Sequence, residues 1–216
     1  MLMIKAIVFD LDGTLVDTIE LHIDAWIKAC KHLGITTTRE SIANLIGLPA
    51  ETIAKKLVRN SEEIIIRLIE LKHMIYKQLL SQVKLYPDVL PTLTELKRRG
   101  FRIGIASSTS STLLNRIISI TGIKQYIDVA IGRDQVLKGK PDPEVFLKVF
   151  KYLGVNPNNG AIVGDTAYDI IPAKEIGALA ILINRTNKGN NTMSCKADFV
   201  IDTLTDILKL LNDIDA

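Results

Sequence analysis

Apolar and polar positions along the chain change their period twice. Ile4 to Phe9 is a short apolar run interrupted only by Lys5, the pattern of a strand covered on both faces. From about residue 90 onward, Arg102 to Ser107, Asp128 to Ile131, Gly160 to Val163 and Leu179 to Ile183 read as strands, each followed by turn residues and separated by segments of helical period. That alternation predicts βαβ units and a mostly parallel sheet, an α/β core. Between about 17 and 84 every periodic segment has helical spacing. The reading is therefore a core of residues 1–16 and 85–216, with an inserted helical-bundle cap at 17–84 built from four helices and joined by two short hinges.

Local signals mark where these helices begin. Asp17 with Glu20 has the spacing of a capping box, and Ser61 followed by Glu62 and Glu63 opens the last cap helix. Leu85-Tyr86-Pro87-Asp88 returns the chain to the core. Asp142 followed by Pro143 predicts a helix start, and Asp202 is expected to cap a last helix whose stripe is Leu204, Ile207, Leu208 and Leu211.

Composition narrows the class. At 216 residues and 47% hydrophobic content the chain can bury a sizeable core. The net charge of +3, with no basic run interleaved with aromatics, argues against a nucleic-acid partner. No apolar run approaches membrane-spanning length, and the N-terminal stretch lacks the basic region and small-residue site of a signal peptide. Cys30 and Cys195 are far apart without metal-type spacing, which suits two reduced structural cysteines in a cytoplasmic protein. The sequons at Asn184 and Asn190 then carry no meaning.

The candidate chemistry starts at Asp10-Leu11-Asp12-Gly13-Thr14-Leu15, directly after the first strand. The carboxyl end of a central strand in an open α/β sheet is where ligands bind. Residues i and i+2 of an extended strand point to the same side, so Asp10 and Asp12 would repel unless a cation lay between them. Oxygen ligands of this kind suit Mg²⁺. Gly13 allows close backbone approach to a ligand. An acidic turn closing a strand is the alternative reading.

Three further groups fall at later strand ends. Ser107, with Ser108 to Ser111 leading into a helix, offers hydroxyls and backbone N–H groups for an anion, although an ordinary N-cap at Ser110 would use the same residues. Lys140, in Lys138-Gly139-Lys140-Pro141-Asp142-Pro143, sits in a rigid loop where an ammonium can neutralise phosphate or simply be solvated; Lys138 is its internal control. Gly164-Asp165-Thr166-Ala167-Tyr168-Asp169 adds carboxylates after another strand, Asp165 as a metal ligand and Asp169 either as a helix cap or in support of the metal.

Taken in order, these motifs resemble the haloacid dehalogenase superfamily, in its phosphatase branch with a helical cap after the first strand. The resemblance rests on Asp10-Leu11-Asp12-Gly13-Thr14-Leu15-Val16-Asp17-Thr18, Ser107, Gly139-Lys140-Pro141 and Gly164-Asp165-Thr166 with Asp169, and it covers essentially the whole chain. It implies a Rossmann-like parallel sheet core with a helical cap, Asp10 as a nucleophile forming an aspartyl-phosphate, and Asp12 as the acid/base. It implies Mg²⁺ held by Asp10, the backbone carbonyl of Asp12 and Asp165, with Asp169 supporting. Ser107 and Lys140 would hold phosphoryl oxygens, helped by backbone N–H groups near Gly13 and Ser108.

The substrate implied is a small phosphorylated metabolite. Thr18, His22 and Trp26 share one helix face. They are similar to the stretch that faces a sugar phosphate in β-phosphoglucomutases, although Trp26 among Ile23, Ile27 and Cys30 also reads as core. Ile46-Gly47-Leu48-Pro49-Ala50-Glu51 is closer to the cap loop of phosphoglycolate phosphatases and pyrophosphatase relatives. A mutase needs a basic cap residue for a second phosphate; Lys55, Lys56, Arg59 and Lys72 are the candidates there. The expectation is thus a hydrolase, with a mutase as the alternative and a non-catalytic phosphometabolite sensor as the alternative from another class. The second acidic residue, Asp12, separates the chain from the dehalogenase and phosphonate-cleaving branches. Asp88 stands where relatives commonly have Gly, which bears on hinge motion. Monomer and homodimer both stay open.

Overall fold

The computed structural model describes residues 3–58, 61–185 and 197–215. In chain order its elements are β1 (Ala6–Phe9), β2 (Val16–Asp17), α1 (Ile19–His32), α2 (Arg39–Ala43), α3 (Ala50–Leu57), α4 (Glu62–Leu79) and β3 (Lys84–Leu85). They continue with α5 (Val89–Arg98), β4 (Arg102–Ala106), α6 (Ser111–Ile120), β5 (Val129–Ile131), α7 (Glu144–Leu153) and β6 (Gly160–Gly164). The last are α8 (Ala167–Glu175), β7 (Leu179–Ile183), β8 (Phe199–Ile201) and α9 (Asp206–Asp215). Arg59, Asn190 and Cys195 lie outside the described residues.

Two compact units divide the chain, Met1–Asp17 with Leu85–Ala216, and Thr18–Lys84. The larger is a six-stranded sheet of order β5-β4-β1-β6-β7-β8, and every pairing in it is parallel. β1 is central, with Val8 opposite Gly104 on one side and Ile162 on the other. All four residues of β1 are buried, as an unbroken apolar run requires when helices cover both faces of a parallel sheet. One face packs on α7 through Val145, Phe146, Val149, Phe150 and Leu153. Burial of each such large side chain contributes about 1.5–3 kcal/mol. Gly104 makes this packing close, since a Cβ there would lie 2.3 Å from Val149 Cγ1. β8 was not anticipated from the sequence; three residues are too few to show a period.

The smaller unit is helical throughout its described residues, apart from connecting turns and Lys84. Trp26 and Cys30 are buried on α1, so Trp26 is core. Ser61 caps α4 as expected, its Oγ accepting from the Ile64 amide at 3.3 Å. Three other caps differ from expectation. At α7 the N-cap is Pro143, although Asp142 Oδ1 accepts from the Glu144 amide at 3.0 Å. Thr18, not Asp17, precedes α1 at the N-cap, with no side-chain capping bond to the helix; Asp17 belongs to β2, and its carboxylate lies 3.5 Å from the Tyr86 hydroxyl. α9 begins at Asp206 instead of after Asp202, because Asp206 itself binds the Thr203 amide and hydroxyl, at 3.1 and 2.9 Å. Among the described residues no helix is long and apolar enough to cross a membrane.

Candidate active site

β1, β4 and β6 lie side by side, so their carboxyl ends deliver Asp10, Ser107 and Asp165 to one edge of the sheet. The chain leaves β1 through a tight turn in which the Leu11 carbonyl accepts from the amides of Thr14, Leu15 and Val16. Gly13 adopts φ +84°, a left-handed conformation that suits glycine. A Cβ at this position would lie 2.4 Å from Asp165 Oδ2, so the missing side chain also makes room for that carboxylate.

Asp10, Asp165 and Asp169 each place a carboxylate oxygen within 4.8 Å of the others. Lys140 is buried against two of them: its Nζ donates to Asp10 Oδ1 at 2.6 Å, to Asp169 Oδ1 at 2.6 Å and to the Ala106 carbonyl at 2.9 Å. It is therefore no solvated loop lysine. Lys138, the control, is exposed, with its ammonium 3.6 Å from Asp142. The Lys140–Pro141 peptide is cis.

Asp169 is not the N-cap of α8. Thr166 holds that position, and Asp169 Oδ2 accepts from the Thr166 amide at 3.3 Å and its hydroxyl at 2.8 Å. One carboxylate thus ties the start of α8 to Lys140. Ser107 is buried, and its Oγ accepts from the Thr109 amide at 3.0 Å, which leaves the hydroxyl proton for a ligand. Ser108 is exposed. Ser110 makes no side-chain cap; the carboxylate of Asp134 takes the Ser111 amide at 2.6 Å and hydroxyl at 2.7 Å instead.

Two expectations are corrected here. The Gly13 amide donates to the Val16 carbonyl at 2.9 Å, so this N–H is committed to the turn and not offered to an anion. Asp12 does not add its carboxylate to the cluster of three; regular strand structure ends at Phe9, and Asp12 Oδ2 accepts from the Thr109 hydroxyl at 2.9 Å. Thr109 escaped the sequence reading because its role depends on a partner 97 positions away.

Electrostatics follow from burial and crowding. Burial, opposed by Lys140 and reinforced by the charges of Asp169 and Asp12, pushes Asp10 up to about 7. Asp165 is also pushed well up, by burial first and then by Asp10 and Asp169. Burial alone would lower the Lys140 ammonium, but the two carboxylates beside it outweigh that and hold its pKa above the usual lysine value. When all are ionised, three carboxylates against one ammonium leave an excess of negative charge. An all-oxygen set with that excess fits a hard divalent cation, which would return Asp10 and Asp165 to their ionised forms.

The helical unit has a buried basic pair of its own. Lys72 is buried, its Nζ 3.0 Å from His22 Nδ1 and 4.9 Å from the Tyr76 ring centre, while the His22 and Tyr76 rings stack at 4.1 Å. Thr18 is buried as well.

A parallel sheet carrying an acidic cluster, a buried lysine and a strand-end serine along one edge has the groups of an α/β enzyme that binds a divalent cation beside an anion. The chain belongs to the haloacid dehalogenase-like hydrolases, whose family model matches residues 7–183. It is similar to pyrophosphatase PpaX of Bacillus velezensis, with 31% identity over 210 residues, 96% of each chain. Its fold matches a predicted phosphoglycolate phosphatase from Haemophilus somnus 129pt, with TM-score 0.87, 24% identity and coverage of 96% of this chain and 97% of that one. It also matches β-phosphoglucomutase from Clostridium difficile, with TM-score 0.82, 24% identity and 99% of both chains covered.

Proposed function

We propose that the protein is a Mg²⁺-dependent phosphatase that hydrolyses a small phosphorylated metabolite through an aspartyl-phosphate on Asp10. The observation that carries this reading is the buried carboxylate of Asp10 at the end of the central strand, gripped by Lys140 and grouped with Asp165 and Asp169. Asp10, Asp165 and Asp169 would hold the ion, with the Asp12 carbonyl as a further ligand. When bound, Mg²⁺ supplies the positive charge that lets an anionic carboxylate meet an anionic phosphate.

The remaining steps belong to the chain's own groups. A carboxylate oxygen of Asp10 attacks phosphorus as the phosphorus–oxygen bond to the leaving group breaks, and Asp12 gives that oxygen its proton. Water then attacks the phosphorus of the aspartyl-phosphate, Asp12 takes up the water's proton, and inorganic phosphate departs as Asp10 is freed. Lys140 holds phosphoryl oxygens by charge, and the Ser107 hydroxyl donates to another. Thr109, bound to Asp12 Oδ2, keeps the acid/base group aimed. Thr18 and His22 of the helical unit are the residues proposed for substrate recognition.

Phosphoglycolate-like esters are the substrate class we favour. Inorganic pyrophosphate is the second reading, favoured by the similarity to pyrophosphatase PpaX. A panel of phosphoglycolate, pyrophosphate, β-glucose 1-phosphate and an aryl phosphate, with Mg²⁺, tests both. Wild type is expected to release phosphate from at least one of them, and Asp10→Asn from none. Phosphate release by Asp10→Asn at the wild-type rate would defeat the assignment, and conversion of β-glucose 1-phosphate to its isomer would favour the mutase.

A further inference from the structure

The larger unit holds a second buried charge pair, outside the acidic cluster. Arg185 follows β7 and contacts three segments at once. Its Nη1 donates to Asp88 Oδ2 at 2.7 Å, its Nη2 donates to the Thr14 carbonyl at 2.9 Å, and its guanidinium lies 4.1 Å from the centre of the Tyr86 ring. The side chains of Arg185 and Asp88 are only 8% and 14% exposed. Asp88 Oδ2 also accepts from the Leu204 amide at 2.7 Å, and the Tyr86 amide donates to the Leu15 carbonyl at 3.2 Å.

These contacts converge on one short stretch. Thr14 and Leu15 close the turn that carries Asp12 and Gly13, and its internal bonds run between near neighbours in sequence, around Leu11. The Thr14 and Leu15 carbonyls are the points where Arg185 and Tyr86 grip it from outside. A guanidinium suits this task. Separate N–H groups of one rigid plane serve a carboxylate and a carbonyl while the face stacks on an aromatic ring, and a lysine ammonium cannot reproduce all three.

We propose that Arg185, with Asp88 as its charge partner, is a positioning residue for catalysis: it fixes the turn from Leu11 to Leu15 through the Thr14 carbonyl, and thereby the aim of Asp12 and the seat of Gly13 against Asp165. The proposal rests on the phosphatase reading given above. Asp88 is then one half of a pair whose other half is 97 residues away.

The test compares wild type, Arg185→Met and Arg185→Lys as full chains, with Mg²⁺ and whichever phosphate compound the wild type turns over. Both variants are expected to lose on the order of tenfold or more in kcat, as small misplacements of reacting groups do. KM should stay within about threefold, since substrate contacts are untouched. Amide hydrogen exchange should quicken at residues 11–16 and stay slow in β6. Arg185→Lys, which keeps a charge beside Asp88, should fold and melt close to wild type while still losing kcat, so it carries the test if Arg185→Met does not fold. Wild-type kcat in the variants would overturn the proposal, and so would a loss of kcat without faster exchange at residues 11–16. Should wild type turn over nothing in the panel, the phosphatase reading alone fails, and exchange at residues 11–16 still decides whether Arg185 holds the turn.

Discussion

Lys140 Nζ and Asp10 Oδ1, 130 positions apart in sequence, lie 2.6 Å from each other in a buried contact. The same ammonium binds Asp169 at 2.6 Å, so one cation links the end of β1 to the start of α8. Substituting Lys140 with Met would leave those carboxylates buried without their cation. Unfolding in urea with a chelator present should show a loss of roughly 3 kcal/mol, the lower end for breaking a buried pair. Added Mg²⁺ should recover part of it by taking over the neutralisation. Unchanged stability in chelator would mean that the pair is not the charge balance of the site.

Gly13→Ala is expected to disrupt the metal site. The new Cβ would meet Asp165 Oδ2 at 2.4 Å, so the carboxylate must move. The Mg²⁺ concentration giving half-maximal rate should rise by about tenfold or more, in line with the cost of displacing a group that supports a metal. Gly100→Ala is the control, because Gly100 has a similar φ of +85° with nothing within 4 Å of its would-be Cβ. That variant should show only the strain of a left-handed Ala, about 1 kcal/mol in unfolding, with Mg²⁺ dependence unaltered.

Thr109→Val removes the hydroxyl that donates to Asp12 Oδ2 at 2.9 Å. A hydrogen bond to a charged group is worth about 1.5–3 kcal/mol, so kcat should fall by roughly tenfold or more if the bond aims the acid/base group. Acid-quenched samples should show the phosphorylated enzyme accumulating, because breakdown of the aspartyl-phosphate also needs Asp12. A normal rate for both half-reactions would remove Thr109 from the mechanism.

Asp88 supplies the pH prediction. Burial opposes its ionisation, but the hydrogen bond from Arg185 and the Leu204 amide outweigh it and hold the carboxyl below its ordinary 3.8. A depressed folded-state pKa contributes stability that is complete above the unfolded value and is lost as pH falls through 3.8 toward the folded one. Asp88→Asn, which cannot titrate, should therefore be less stable than wild type at pH 6, and the gap should narrow as pH drops below about 4. Denaturant melts across that range would show it; a constant gap would mean that the charge on Asp88 contributes nothing.

Much of the site was legible because its residues stand at strand ends, where apolar runs stop and a carboxylate, serine or glycine begins. Asp10, Ser107 and Asp165 are visible in this way, since a buried parallel strand leaves an unbroken apolar signal. Other features were hidden for a physical reason in each case. The spacing of Asp17 and Glu20 is that of a capping box, yet the chain is still extended at Asp17 and Thr18 precedes the helix. The glycine at 13 suggested a donor for phosphate, but its amide is spent on Val16 in closing the turn. Asp134 answers the amide of Ser111 from 23 residues away, where no local pattern could announce it.

The sequence by itself determined the parallel α/β core, the helical insertion and the order of the acidic, serine and lysine motifs, because periodicity and turn chemistry act over a few neighbouring residues. Tertiary structure alone decided which partner each charge meets: Lys140 for Asp10 and Asp169, the Thr109 hydroxyl for Asp12, Arg185 for Asp88. Such pairs are chosen by the burial of charge, which makes each ionised group seek a partner wherever the fold brings one, and distance along the chain carries no record of that choice.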